Sequence, residues 1–205
     1  GIRGGSATVH FPIWHQEIRD IIVLKNNKGT EDNRVRKLDY SIQLSALFYQ
    51  RFIDNGKITL FSPHDVPNLY ESFGTESFDE LYQTYEDDES IPKTSVSAQE
   101  LILDLLKERA ETGRLYIMNI DHCNSHSSFT DKVEMSNLCQ EITLPTKPVQ
   151  HIDDEHGEIA LCILSAINIG KIRDVQDLET LCDLSVRSLD AVSYTHLTLP
   201  TKLAV

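Results

Sequence analysis

The sequence contains 205 residues, of which 40% are hydrophobic and 25% charged, a composition typical of one globular domain rather than a disordered chain. Its 19 basic and 32 acidic residues give a formal charge of -13 at pH 7, which argues against nucleic-acid polymers and anionic membranes as partners. No signal-peptide pattern and no apolar run of roughly 18 residues is present. The four cysteines form no CxxC pair, so we expect reduced thiols in a soluble, cytoplasmic protein.

Strands and helices alternate in the first half of the chain, which predicts an α/β fold. We predict a strand at 7–11, a helix at 18–25 with isoleucines at helical spacing, and a second helix at 35–52. A short strand should follow at 57–61, and the aromatic residues of 68–88 indicate a stretch that is helical in pieces.

The second half begins with the clearest helix start in the sequence. A capping box at 97–100 predicts a helix that runs to Thr112, and a strand should follow at 114–120. The stretch at 158–169 is almost continuously apolar, which indicates a strand buried on both faces. A last helix should begin near Asp174.

The segment SNLCQE places an amide, a thiol and a carboxylate at Asn137, Cys139 and Glu141. If the backbone is extended there, side chains two apart share a face, so the three groups enter one space roughly 6.5 Å apart per step. An ordinary half-buried strand would carry apolar residues on that face. The pattern therefore predicts a lined active site, with burial of Cys139 as a core thiol as the alternative.

A cluster of possible metal ligands precedes this segment, because Asp121, His122, Cys123 and His126 lie within six residues in a predicted polar loop. A metal-dependent hydrolase built on that loop is one alternative function. A closed zinc site needs a fourth ligand at workable geometry, and we predict that the chain binds no metal.

Several long motifs resemble the large, catalytic subunit of class I ribonucleotide reductases. The motifs are RGGSAT near the start, LKNNKGTEDNRVR, LFSPHDVP, GRLYIMNIDHCNSHS, SNLCQEITLPTKP and GEIALCILSAINIG. They occur in the family's order over about residues 1–191, and the short loop between His126 and Asn137 is similar to that of bacteriophage members. The resemblance implies an α/β fold that is part of a ten-stranded barrel with a finger loop through its centre.

The resemblance also implies a reaction, the thiyl-radical reduction of ribonucleoside diphosphates to deoxyribonucleoside diphosphates for DNA synthesis. It places Cys139 at the tip of the finger loop, where its thiyl radical removes the 3′ hydrogen of the substrate. Glu141 would take the 3′-hydroxyl proton, and Asn137 would bind the ribose hydroxyls beside Ser136. Cys162 matches one thiol of the family's redox-active disulfide, whose other cysteine has no counterpart in this sequence.

Further expectations concern regulation and partners. Arg3, Gly4 and Gly5 are similar to the end of the loop that lies between an effector deoxynucleotide and the substrate base. No cofactor is expected in this chain itself. The family implies ATP and deoxynucleotide effectors, a small radical-generating subunit with a di-iron tyrosyl radical, thioredoxin or glutaredoxin, and a homodimer.

The ends of the sequence lead to two more expectations. Because it starts at Gly1 rather than Met, we interpret it as an internal segment that is inactive and only marginally folded alone. Residues 192–205 depart from the family, and we interpret them as a poorly ordered tail derived from a cloning adapter. The alternative from another class is a non-catalytic nucleotide-binding or scaffold protein with the same fold.

Overall fold

The computed structural model describes residues 5–28, 30, 32 and 34–198. These residues form two compact units, one that ends at Glu158 and one that begins at Ile159. The first unit contains, in chain order, β1 (Thr8–Pro12), α1 (Ile18–Ile22), β2 (Asp39–Leu44), α2 (Ala46–Ile53), β3 (Lys57–Phe61), α3 (Leu69–Ser72), α4 (Phe78–Asp87), β4 (Lys93–Ser97), α5 (Ala98–Thr112), β5 (Leu115–Asn119) and α6 (Ile120–Ser125).

A three-stranded parallel sheet with the order β1-β2-β5 organises the first unit. Strand β1 pairs with β2 from Thr8 opposite Asp39, and β2 pairs with β5 from Tyr40 opposite Leu115. Parallel neighbours need crossover connections, and the chain supplies α1 between β1 and β2 and the elements from α2 to α5 between β2 and β5. Strands β3 and β4 form a separate antiparallel pair.

The helices cover one face of the parallel sheet and bury its apolar side chains. Helix α5 contacts α1, α2, β4 and β5, and Ile42 and Leu44 of β2 are buried in the same core as Leu101 and Leu105 of α5. The predicted capping box is confirmed, because the Ser97 hydroxyl accepts a hydrogen bond from the Glu100 N–H at 3.3 Å. The predicted strands at 7–11, 57–61 and 114–120 are confirmed as β1, β3 and β5.

The prediction of one helix over 35–52 is wrong in its first part. Residues Asp39–Leu44 form β2, and the helix α2 starts only at Ala46. Strand β2 lies between two neighbours and is buried from Tyr40 to Leu44 on both faces, although its polar and apolar residues alternate. A second difference is that His122 and Cys123 lie on helix α6 rather than in a loop.

The second unit begins with an irregular stretch and contains a long helix toward its end. The stretch predicted as a doubly buried strand at 158–169 is irregular and exposed, with Ile159 74% and Leu164 76% accessible, so that prediction is wrong. A strand buried on both faces requires neighbouring strands, and the described part of this unit contains none. A 3₁₀ turn (Ile169–Lys171) and helix α7 (Val175–Thr198) follow, which confirms the last predicted helix.

Helix α7 continues beyond residue 192 as far as Thr198, and the expectation that the tail is poorly ordered stays a prediction. The remaining residues, 199–205, lie outside the described part of the chain, and the origin of the tail stays a prediction. No helix in the described ranges combines the length and the apolar character that a bilayer span needs.

Candidate active site

The face of the parallel sheet opposite the helices is polar. Alternate residues of a strand share a face, and the register aligns His10 of β1 with Ser41 of β2 and Tyr116 of β5. Thr8 and Gln43 lie on the same face. Ser41 is 0% and Gln43 1% exposed, and buried polar groups need hydrogen-bond partners. A polar segment must therefore cover this face.

That segment is 134–140, which includes the motif that suggested an active site. Three sheet side chains reach alternate backbone carbonyls of the segment: Gln43 Nε2 to Glu134 O at 2.6 Å, His10 Nε2 to Ser136 O at 3.2 Å, and Thr8 Oγ1 to Leu138 O at 2.5 Å. Because carbonyls two residues apart point the same way only in extended backbone, the segment runs extended as far as the turn that follows.

The segment then turns instead of continuing as a strand. The Gln140 N–H donates to Asn137 O at 3.1 Å, which makes Leu138 and Cys139 the central residues of a β-turn. Gln140 has a left-handed φ of 62°. Its Oε1 accepts from Ser41 Oγ at 2.5 Å, and its Nε2 donates to Ile117 O at 2.6 Å. The turn is thus fastened to the sheet by a side chain.

The predicted strand with three functional groups on one face is therefore wrong. Sheet side chains satisfy this backbone where a neighbouring strand would otherwise do so, and the chain is free to turn at Leu138 and Cys139. Cys139 and Glu141 are exposed, so the alternative of a buried core thiol is wrong as well. An exposed thiol at the apex of a turn is accessible to a reacting partner.

The neck of the loop is closed by its own polar groups. Asn137 Oδ1 accepts from the Ile142 N–H at 3.1 Å, and the Ser136 hydroxyl donates to the Ile142 carbonyl. The side-chain oxygen of Asn137 is therefore used inside the loop. Residues 136 and 142 are held together, and the residues between them project as one unit.

Cys139 and Glu141 share a neighbour on the sheet, the phenol of Tyr116. Burial raises the pKa of Tyr116, and Cys139, Asp39 and Glu141 raise it further because negative charge near a phenol disfavours its ionisation. The thiol and the carboxylate of the motif are therefore both near enough to Tyr116 to affect its ionisation. Asn137 is directed to the neck instead.

His10 lies half-buried where the loop neck crosses the sheet. Its Nε2 is 3.2 Å from Ser136 O and 3.4 Å from Ser136 N, and its Nδ1 is buried with no hydrogen-bond partner in the described part of the chain. Burial lowers the pKa of His10, although its contact with the Ser136 carbonyl acts in the opposite direction. A neutral ring with its proton on Nε2 fits this arrangement. The Nε2 proton can then be donated to Ser136 O, and a buried Nδ1 acceptor without a donor costs less free energy than a buried Nδ1–H without an acceptor.

A cavity of about 450 Å³ lies beside the turn, between β5, α6 and the loop. Its lining includes His122, Cys123, His126 and Gln140. Burial and the Asp121 carboxylate raise the pKa of the Cys123 thiol. His126 Nδ1 lies 3.0 Å from the His122 carbonyl oxygen. Among the residues that the structure describes, no three or more His, Cys, Asp or Glu side chains are grouped to hold a metal ion.

The remaining predicted site residues lie in other segments of the chain than the loop and the strands described above. Cys162 is exposed in the irregular part of the second unit. Gly5 is exposed, with no atom within 4 Å of the place a Cβ would occupy, whereas Arg3 and Gly4 lie outside the described residues. The roles given to these residues stay predictions.

Sequence reasoning missed the sheet residues that hold the loop. Thr8 and His10 alternate with apolar residues in TVHFP, and Ser41 and Gln43 do so in DYSIQL. Polar residues two apart within each of these strands were the available signal, since a buried sheet face rarely carries them without polar partners.

Comparisons with known proteins place the chain in a family. The model of a family described as the barrel domain of ribonucleotide reductase matches residues 1–203. The ribonucleoside-diphosphate reductase subunit alpha of Haemophilus influenzae is 58% identical over 197 residues, which are 94% of this chain and 26% of the relative. The proteins of the same name from Buchnera aphidicola subspecies Schizaphis graminum and Enterobacteria phage T4 are 56% and 43% identical, over 94% and 93% of this chain.

The chain spans about a quarter of the length of these curated relatives. The α/β class predicted from the sequence is confirmed, and the parallel sheet is one part of a barrel. Because the family match covers nearly every residue and a 58% identical relative aligns over most of the chain, the chain belongs to the ribonucleotide reductase barrel-domain family.

Proposed function

We propose that this chain is part of the catalytic subunit of a ribonucleoside-diphosphate reductase, which makes deoxyribonucleotides for DNA synthesis. The observation that carries the proposal is the Cys139 turn, in which an exposed thiol is held at a fixed place over a polar sheet face, with Glu141 two residues away. The names of the relatives, at 58% and 56% identity, support the same reaction.

The proposed chemistry starts at the sulfur of Cys139. As a thiyl radical, this sulfur removes the hydrogen atom from C3′ of the ribose, so that an S–H bond forms and a carbon radical remains. The Glu141 carboxylate accepts the proton of the 3′-hydroxyl. The side-chain oxygen of Asn137 accepts a hydrogen bond in the loop neck, so the side-chain nitrogen Nδ2 is the atom that would donate to a ribose hydroxyl. Holding these groups on one short loop supplies the orientation that the reaction needs.

Loss of the 2′-hydroxyl as water then requires two electrons and two protons. Two thiols supply them and become a disulfide, and we assign Cys162 as one of the two. The second thiol would come from outside these 205 residues, as the family resemblance implies. Return of the hydrogen atom from Cys139 to C3′ completes the balance: one ribonucleoside diphosphate and two thiols give one deoxyribonucleoside diphosphate, one disulfide and water.

The proposal includes partners. A small subunit with a di-iron tyrosyl radical would supply the radical equivalent, and thioredoxin or glutaredoxin would reduce the disulfide. The whole protein would form a homodimer in the cytoplasm, with ATP and deoxynucleotide effectors acting through the loop that ends at Arg3, Gly4 and Gly5.

The test uses a full-length host, the Haemophilus influenzae relative, with its matching segment replaced by residues 1–191 of this chain. Deoxynucleotide formation is measured with the host's radical-generating subunit. The variant Cys139→Ser should lose product formation, because an alcohol cannot replace the thiyl radical. The matched control Cys182→Ser changes an exposed cysteine on α7 and should retain the activity of the unchanged chimaera. Unchanged product formation by Cys139→Ser would exclude the enzyme function at this site and favour the non-catalytic alternative.

A further inference from the structure

The carbonyl that Thr8 contacts belongs to the peptide bond that joins Leu138 to Cys139. Thr8 Oγ1 donates to this oxygen at 2.5 Å, across 130 residues of sequence, and the contact is partly buried. Of the three sheet side chains that reach the backbone of the loop, Thr8 is the one whose acceptor carbonyl lies next to Cys139 in the sequence. His10 and Gln43 act at Ser136 and Glu134, farther back along the segment.

This peptide is the central peptide of the turn, and its orientation decides where the cysteine side chain goes. Rotating the central peptide of a β-turn converts type I into type II and changes φ at the second central residue from about -90° to about +80°. Cys139 is not among the residues with positive φ in the described part of the chain, so the peptide has the orientation that suits a residue with a Cβ.

The turn would not keep this orientation by its own backbone alone. The bond that closes it, from the Gln140 N–H to Asn137 O, forms in both turn types, so it does not select between them. The side chain of Gln140 fastens the turn to the sheet but makes no bond to the central peptide. The Cβ of Cys139 favours the observed orientation, and the donor fixed on β1 holds the Leu138 carbonyl in it.

We infer that Thr8 is a positioning residue for the proposed reaction: its hydroxyl holds the Leu138–Cys139 peptide in the orientation that directs the Cys139 sulfur toward the substrate. The inference rests on the proposed function, and Thr8 itself need not touch the substrate. Loss of the Thr8 hydroxyl should therefore slow the chemical step rather than weaken substrate binding. A sulfur displaced by a rotated peptide reaches C3′ less often although the substrate still binds.

The experiment uses the same full-length chimaera and measures kcat and KM for ribonucleoside-diphosphate reduction. Thr8→Val keeps the shape of the side chain but removes the hydroxyl, and it should lower kcat about 10- to 100-fold with KM changed less than about threefold. Thr8→Ser keeps the hydroxyl and should restore kcat to within about threefold of the unchanged chimaera.

A matched control separates this role from the general loss of a threonine hydrogen bond. Thr112 Oγ1 donates to the Glu108 carbonyl at 2.7 Å, also partly buried, at the end of α5. Thr112→Val should leave kcat unchanged. If Thr8→Val does not fold, as judged by thermal unfolding, Thr8→Ala takes its place, because alanine also lacks the hydroxyl and cannot clash.

Each outcome decides the inference. Equal kcat for Thr8→Val and the unchanged chimaera would overturn it, and so would a Thr8→Ser variant as slow as Thr8→Val, or a loss confined to KM. The proposed function is judged separately, because it fails only if Cys139→Ser remains active. An active Thr8→Val beside an inactive Cys139→Ser would remove the inference and leave the proposed function standing.

Discussion

The replacement of Gln140 by alanine tests how the turn is fastened to the sheet. Gln140→Ala removes the bond from Ser41 Oγ at 2.5 Å and the bond to Ile117 O at 2.6 Å. Two hydrogen bonds contribute about 2 kcal/mol together, and the cost rises toward about 4 kcal/mol because Ser41 is fully buried and keeps an unpaired hydroxyl. The left-handed φ of 62° strains alanine as it strains glutamine, so it adds nothing to this difference.

Gln140→Gly separates the loss of the hydrogen bonds from the strain of the left-handed backbone. It loses the same two hydrogen bonds but removes the left-handed strain, which is about 1 to 2 kcal/mol for a residue with a Cβ. The glycine variant should therefore cost about 1 kcal/mol less than the alanine variant.

Hydrogen exchange measures the result, because the amides of Gln140 and Ile142 are bonded inside the loop. A loss of about 2 kcal/mol corresponds to an exchange rate about 30-fold faster at these amides in Gln140→Ala. Exchange in Gln140→Ala at the rate of the unchanged chain would refute the reasoning. So would a glycine variant that exchanges faster than the alanine variant, since the strain argument requires the opposite order.

Two further predictions concern the first unit. Tyr82 is fully buried, and its hydroxyl both accepts from and donates to the backbone of β3, so Tyr82→Phe should lower the free energy of unfolding by about 2 to 4 kcal/mol. Tyr85→Phe, whose exposed hydroxyl makes one bond to a carbonyl, should cost less than about 1 kcal/mol; urea unfolding that gave equal losses would contradict this difference. The raised pKa of the Cys123 thiol leaves less thiolate at pH 8, so iodoacetamide should label it more slowly than the exposed Cys139. Its labelling should still accelerate above pH 9, and mass spectrometry that found Cys123 labelled first would refute the prediction.

Much of the secondary structure could be predicted because its signals are local. The hydroxyl of Ser97 and the left-handed Gly113 bound α5 at both ends, and each acts on backbone groups within a few residues. Strand β3 ends where it was predicted, at Phe61 before a proline turn. The residue types of the motif around Cys139 could also be recognised, since its residues are consecutive in the sequence.

Other features could not be predicted because their causes are distant in sequence. The sequence pattern predicts a helix for the residues of β2, because the burial of this strand depends on β1 and β5, which pair with it only in the folded sheet. The apolar residues of 158–169 predict a buried strand, but such a strand also needs neighbouring strands, which apolar character alone does not supply.

The sequence by itself determined the family, the α/β class and the residue types at the candidate site. The tertiary structure decided that Cys139 lies at the apex of a turn and that Thr8 and His10 hold the loop. The physical reason is the satisfaction of backbone groups: sheet side chains donate to the carbonyls of the extended residues 134–138, so no neighbouring strand is needed there and the chain can turn at Leu138 and Cys139. The side chains of His10 and Thr8 belong to residues 126 and 130 positions away, a relation that no local pattern of residues contains.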